Sequence, residues 1–202
     1  MSRYLVREAL KVPSSQIQET CVGDARPDAL GLQYVVKRNS ELTAVDKSAI
    51  WDLWDANMRI LMVGSSLGYD PPAKRDEIFH RLSRFILVYK SPLEEGEAQK
   101  LVAYSTFRFD REDEDNVVYC YELQVDEIMR GVGIGRKLMG CLESVAEAYG
   151  MDKVMLTVLK ANEKAFRFYM QCGFKVDESS PSLYGEEVDY EILSKVVSGA
   201  DL

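Results

Sequence analysis

From residue 46 onward the apolar positions Ile50, Leu53, Trp54, Met58 and Leu61 recur at helical spacing, and Gly64-Ser65-Ser66 ends the run. The spacing predicts one long amphipathic helix. Ahead of it, residues 1–30 hold a short helical pattern at 4–11, then Pro13, Gly23 and Pro27 with no sustained period. They read as an arm laid on the domain or a partly disordered lead. Pro71-Pro72 precede a second helix around 73–82, rich in Lys, Arg, Asp and Glu, which its charge assigns to the surface. Two strand-like runs follow at 84–89 and 101–109, joined by the polar stretch 91–100 with Pro92 and Gly96, as in a hairpin with a loose loop. The polar run 110–116 then separates the second of these from an alternating run at 117–125.

Beyond residue 125 the order changes. A helical pattern at Ile134, Leu138, Cys141, Leu142, Val145 and Tyr149 leads to a buried strand at 154–159. A further helix is opened by Asn162 as N-cap and stopped at Cys172-Gly173. Strand, helix, strand is a parallel crossover, so a sheet that begins antiparallel becomes mixed. Two closing strands, 174–176 and 188–193, flank the loop Ser179-Ser180-Pro181-Ser182. The expected fold class is therefore α/β (α+β), with a mostly antiparallel mixed sheet flanked by helices in a single domain over 31–198.

Composition narrows the class. A chain of 202 residues with 47% apolar side chains can bury one core. No stretch approaches 18 consecutive apolar residues and the start lacks the apolar core of a signal peptide, so a soluble intracellular protein is expected, with no membrane partner. Cys21, Cys120, Cys141 and Cys172 stand far apart without CxxC, and His80 is the single histidine. Free thiols and no metal site are expected. The net charge of −8 argues against sequence-independent nucleic-acid binding and suits a basic partner, or solubility alone.

The candidate chemistry lies at Arg130-Gly131-Val132-Gly133-Ile134-Gly135, between the alternating strand and the following helix. A glycine-rich turn that opens a helix lets backbone N–H groups approach an anion, and the helix N-terminus adds about half a positive charge. The turn continues as Arg136-Lys137-Leu138, without the Lys-Ser/Thr ending that would hold magnesium. Its glycines run GxGxG rather than GxGxxG, and the preceding strand alternates, which disfavours a dinucleotide fold.

The turn resembles the acetyl-CoA signature of the Gcn5-related N-acetyltransferase superfamily, an Arg or Gln followed by x-x-Gly-x-Gly/Ala. The next superfamily element also has its counterpart in Asn162, Ala165, Tyr169 and Gly173-Phe174. Tyr119-Cys120-Tyr121-Glu122, Val154-Met155-Leu156-Thr157-Val158, Ser179 to Ser182 and Tyr190-Glu191-Ile192-Leu193-Ser194 resemble one branch, the NatD enzymes. These acetylate the N-terminal serine of histone four and histone two-A. The resemblance covers about residues 46–195 and implies the superfamily fold, with two parallel strands splayed at the cofactor site.

It further implies acetyl-CoA held at its pyrophosphate by Arg130, Gly131, Val132, Gly133, Ile134, Gly135 and Arg136. Leu123, Gln124 and Val125 would pair with the pantetheine amides, and Asn162 would bond the pantetheine arm. Glu122 is the expected general base beside Tyr121, with Tyr169 as proton donor to the departing thiolate; plain surface, cap and core roles remain their structural alternatives. Strict alternation separates Glu122 from Tyr119, Tyr121 and Leu123, so a shared site requires a β-bulge. Substrate contacts fall to Asp110, Tyr119, Tyr121, Thr157, Ser180 and Tyr190, for a basic tail beginning Ser-Gly-Arg-Gly. The family's peptide-contacting tyrosine at the end of the first long helix is replaced by Met62, and either Tyr69 takes its place or the contact is absent. The resemblance also implies a monomer of cytoplasm and nucleus, and leaves ribosome association open. A lysine or small-amine acceptor, or a non-catalytic CoA- or tail-binding module, remains the alternative function.

Overall fold

The computed structural model describes residues 2–23, 26–92 and 99–197. The loose hairpin loop expected at 91–100 lies mostly outside them, as does residue 198. Seven strands among the described residues form one sheet in the order β1-β2-β3-β4-β5-β7-β6. These are β1 (Leu32–Arg38), β2 (Arg84–Lys90), β3 (Lys100–Glu112), β4 (Asp115–Val125), β5 (Lys153–Leu159), β6 (Lys175–Val176) and β7 (Tyr190–Val196). Only β4 and β5 run parallel, joined by the crossover helix α5 (Ile134–Ala148). The mixed, helix-flanked sheet is the architecture the pattern predicts.

Each face of the sheet carries its own core. On one face α5 buries Ile134, Leu138, Leu142 and Val145 against Val118, Cys120, Phe107 and Phe109. On the other, α3 (Ala44–Val63) and α4 (Pro71–Ile78) bury Ile50, Trp54 and Ile78 against Phe85, Leu87 and Tyr104. Thr43 and Asp46 form a capping box at the start of α3, which fixes where this helix enters the sheet.

The N-terminal segment is a docked arm. Helices α1 (Ser2–Ala9) and α2 (Ser14–Cys21) place Ala9 and Ile17 in the first core. Two arginines hold the end of α1: Arg84 donates to the carbonyls of Ala9 and Leu10 at 3.2 and 3.0 Å, and Arg38 to those of Lys11 and Val12. Gln18 of α2 donates to Tyr34 O at 3.0 Å and accepts from Val36 N at 2.7 Å, which satisfies the open edge of β1 much as another strand would. The periodicity reading missed α2 and β1, since eight and seven residues are too few to establish a period around Pro13 and Gly31.

Two further expectations are refined. The polar run 110–116 narrows to a tight, exposed hairpin turn at Asp113 (φ 49°) and Glu114, with β3 and β4 paired out to Glu112 and Asp115. The charged helix α4 lies at the surface as its composition predicts, with Pro72, Ala73, Arg75, Asp76 and Glu77 exposed, but its inner face buries Ile78 and turns Lys74 toward the sheet.

The expected bulge is present. Thr106 faces Glu122 while Phe107 faces Cys120, so Tyr121 is left without a partner across β3. One inserted residue reverses the alternation, sending Cys120 into the first core and Glu122 to the α3 side. Pairing of β4 with β5 stops at Cys120 and Leu156, immediately before the bulge, and the two strands then separate.

Candidate active site

The separation of β4 and β5 opens a cleft of about 1020 Å³ that runs from the glycine turn, past Glu122, to Tyr190 and Ser179. At its first end, Gly131 and Gly133 take φ 82° and 92°, a left-handed backbone that side chains rarely adopt. A Cβ on either would meet nothing within 4 Å, so conformation rather than crowding requires glycine here. Gly135 differs: its Cβ would come within 3.2 Å of the Phe168 ring, where α5 crosses α6 (Glu163–Gln171). Gly133 is the N-cap of α5 and no side chain caps the helix, so the N–H groups of its first turn have no partner within the helix. That arrangement suits an anion such as a diphosphate. Gly131, Gly133, Ile134, Gly135 and Arg136 line the cleft, whereas Val132 is half exposed and lies outside the lining.

Next comes the open edge of β4. Asp126 N donates to Val102 O at 2.8 Å, and alternation from that bond turns the amides of Leu123 and Val125 away from β3, into the gap. Val125 O already accepts from Arg130 Nε and Asn57 Nδ2, both at 3.2 Å. The backbone of Gln124 faces β3 by the same alternation, so its expected pairing with a bound chain is corrected to Leu123 and the Val125 N–H. Asn162 lines the cleft from the opposite wall and also caps α6, its Oδ1 accepting from Ala165 N at 3.3 Å.

Glu122 sits where the gap narrows, 6% exposed. Its Oε1 accepts from Trp54 Nε1 at 3.0 Å and Lys74 Nζ at 2.7 Å, and its Oε2 from Gln124 Nε2 at 2.9 Å. Burial alone would push the Lys74 ammonium down, but the carboxylates of Glu122 and Glu77 raise it well above the usual lysine range. Lys74 therefore stays protonated. Tyr169 projects from α6 into the same region, and burial pushes its phenol well above the usual value, with Cys120 and Glu122 adding to the effect.

The far end is aromatic and acidic. Tyr119 and Tyr121 lie with ring centroids 5.0 Å apart, and the Arg108 guanidinium stacks 3.9 Å from the Tyr121 ring. Tyr119 and Thr157 share a 2.6 Å hydroxyl hydrogen bond, and burial pushes the Tyr119 phenol up to about 12. Tyr190, Met62, Leu67, Glu77, Glu112 and Ser179 complete this part of the lining. The loop after α3 is fastened to the segment before β7: Asp189 accepts from Ser66 N at 2.6 Å and from Ser66 Oγ at 2.5 Å.

Two expected substrate contacts fall elsewhere. Ser180 is fully buried, donating to Glu191 Oε2 at 2.8 Å and accepting from Ile192 N at 3.1 Å; its neighbour Ser179 reaches the cleft instead. Asp110 lies outside the lining, with Glu112 two residues further on in it. Met62 is buried in the lining, while Tyr69 stacks on Trp54 with centroids 6.2 Å apart and donates to Asp55. The pattern missed Trp54, Asn57 and Lys74 as site residues. An apolar stripe gave no sign that the indole N–H serves a carboxylate 68 positions away.

Comparison with known proteins bears on this geometry. The family model described as "Acetyltransferase (GNAT) family" matches residues 49–174, from α3 through the turn to the end of α6. A curated relative, the spermine/spermidine N(1)-acetyltransferase of Bacillus subtilis (strain 168), is 28% identical over 83 residues. That match takes in 40% of this chain and spans about half of the relative, 55% of its length. Among solved structures, an acetyltransferase of the GNAT family from Staphylococcus aureus MU50 superposes with a TM-score of 0.60 at 15% identity, over 82% of this chain and 99% of that one. Arabidopsis thaliana NAA60 in complex with a bisubstrate analogue gives 0.58 at 14% identity, over 83% and 99%. At these identities the structural likeness speaks for the fold.

Proposed function

The chain belongs to the acetyltransferase (GNAT) family, whose cofactor is acetyl-CoA, and from that premise we propose that it acetylates the α-amino group of protein N-termini. The intended substrates are basic tails that begin Ser-Gly-Arg-Gly, as in histone four and histone two-A, which would make the protein a NatD-type enzyme. The observation that carries this reading is Glu122, a carboxylate held by three donors at the mouth of the gap between β4 and β5.

Acetyl-CoA, when bound, supplies an acetyl group activated as a thioester. The first-turn amides of α5 and the Arg136 side chain would hold its diphosphate, and the outward-facing amides of Leu123 and Val125 would pair with its arm. Glu122 takes the proton from the incoming ammonium, directly or through one water. An N-terminal ammonium has a pKa near ~8 and a lysine ammonium near ~10.4, so the first asks far less of its base. Tyr169, kept protonated by burial, would be the side chain that supplies an Oη proton to the departing sulfur. The Ser66 and Asp189 contact ties together two loops at the acceptor end, an arrangement that favours an extended chain end over a side chain on a folded surface. Glu112, with Glu77, offers carboxylates to the arginine of the tail.

A second reading, a polyamine or other small-amine acceptor, is favoured by the same acidic lining and by the partial match to the spermine/spermidine enzyme. One assay separates the two. Acetyl-CoA is supplied with a peptide beginning Ser-Gly-Arg-Gly, with the same peptide blocked at its N-terminus and carrying a lysine, and with spermidine. Acetylation of the free serine amine is expected. Transfer to spermidine or the blocked peptide alone would overturn the N-terminal assignment.

A further inference from the structure

We infer that Asn57 and Gln124 are positioning residues that couple the glycine turn to Glu122, so that the state of the cofactor's diphosphate site is felt at the carboxylate. The inference rests on the acetyl-CoA reading of the cleft, and names residues to which that reading assigns no such part.

The contacts form one unbroken chain. Arg130 Nη2 donates to Asn57 Oδ1 at 2.6 Å, Asn57 Nδ2 donates to Gln124 Oε1 at 3.0 Å, and Gln124 Nε2 donates to Glu122 Oε2 at 2.9 Å. A guanidinium can only donate and an ionised carboxylate can only accept. With a pure donor at one end and a pure acceptor at the other, each of the two amides between them has a single orientation that satisfies the chain. Reversing either would set donor against donor or acceptor against acceptor. The polarity is thus fixed by chemistry along the whole path from turn to base.

Burial makes the path stiff where it matters. Gln124 is 5% exposed and Glu122 6% exposed, and hydrogen bonds out of water strengthen one another. The opposite end is exposed: Arg130 sits at the surface of the turn and holds the Val125 carbonyl as well as Asn57. An anion bound at the first turn of α5 attracts the Arg130 guanidinium. Any change in the pull of Arg130 on Asn57 passes to Gln124 and so to Glu122.

Glu122 carries a built-in reporter, because Trp54 Nε1 donates to its other oxygen at 3.0 Å. With two tryptophans in the chain, the indole region of a ¹H–¹⁵N spectrum holds two resonances, assigned by Trp51→Phe. Titration to saturation with CoA is expected to move the Trp54 Nε1–H resonance in the wild type and to leave it nearly still in Asn57→Leu. Asn57→Asp, equal in size, keeps an acceptor for Arg130 but loses the donor to Gln124, and should behave like Asn57→Leu. In turnover, Gln124→Met is expected to lower kcat by ~10-fold with little change in KM for acetyl-CoA, and Asn57→Leu should add nothing in that background. A Trp54 shift that persists in both Asn57 variants, or losses in kcat that multiply, would overturn the coupling. CoA that fails to bind the wild type would instead overturn the cofactor reading on which the coupling stands.

Discussion

The two ends of the cleft are built by different means. At the cofactor end, one continuous stretch from Arg130 to Arg136 supplies glycine conformations, uncapped helix amides and a basic side chain, so that most of the groups it offers to a ligand are backbone. At the acceptor end the groups come from α3, α4, β4 and the segment before β7, and side chains far apart in sequence meet around Glu122 and across Ser66 and Asp189. The first kind of site depends on a local backbone shape. The second depends on the packing of the whole α3 face, so it is the more exposed to mutation and the freer to change acceptor.

If that contrast holds, Glu122→Gln should leave CoA affinity nearly unchanged while kcat falls by ~10²-fold or more, the usual cost of losing a general base. Calorimetry and steady-state rates check it, and undiminished turnover would remove Glu122 from the role. Gly133→Asp should act on the other end. A side chain with negative charge at φ 92°, beside the helix N-terminus, is expected to weaken CoA binding by ~10- to 100-fold. Normal affinity in that variant would contradict the anion-cradle account. A smaller effect is expected from Asp189→Ala, which frees the Ser66 loop and should raise the peptide KM by ~3- to 5-fold with the acetyl-CoA KM unchanged, about the worth of one hydrogen bond.

The same contrast has a stability counterpart in acid. Burial would raise the Asp46 carboxyl, but hydrogen bonds from Lys37, Tyr89 and Thr43 hold it down to about 2; Asp177, bonded by Ser179, Ser194 and Lys153, is likewise held to about 2. Both values lie below the usual 3.8, so their stabilisation is present above about pH 4 and is lost as pH falls toward 2. Asp46 caps the helix that carries Trp54 and Asn57. Melting curves between pH 5 and 2 (about the window of these two shifts) should show Tm falling, and Asp46→Asn should flatten part of that fall. An acid limb identical in the variant would show that this cap is not coupled to folding.

Much of the fold was legible along the chain because long periods are hard to mistake. The 3.6-residue stripe of α3 and α5, the alternation of β4 and the crossover to β5 each span enough residues to outweigh local noise. The cofactor end was legible for the same reason that it is robust: its requirements are local, and glycine at a strand-to-helix turn carries them in the sequence. The acceptor end was not. Lys74 lies in a helix whose composition reads as solvated, and only the fold brings it within 2.7 Å of Glu122. Ser180 and Ser179 are adjacent in a polar loop, and no local pattern tells which is buried. The bulge at Tyr121 was required by chemistry before it was visible, since an unbroken strand would have turned Glu122 away from Tyr119.

The central claim is that one cleft holds acetyl-CoA at the α5 turn and a chain-terminal amine at Glu122. A conjugate in which CoA is joined through its acetyl group to the α-nitrogen of a Ser-Gly-Arg-Gly peptide would span both ends, and its affinity against CoA alone measures the claim by calorimetry. The account predicts that the wild type binds the conjugate ~100-fold more tightly than CoA, and that most of this gain is absent when the same peptide is joined through a lysine side chain. Equal affinity for the conjugate and CoA, or an equal gain through lysine, would contradict it.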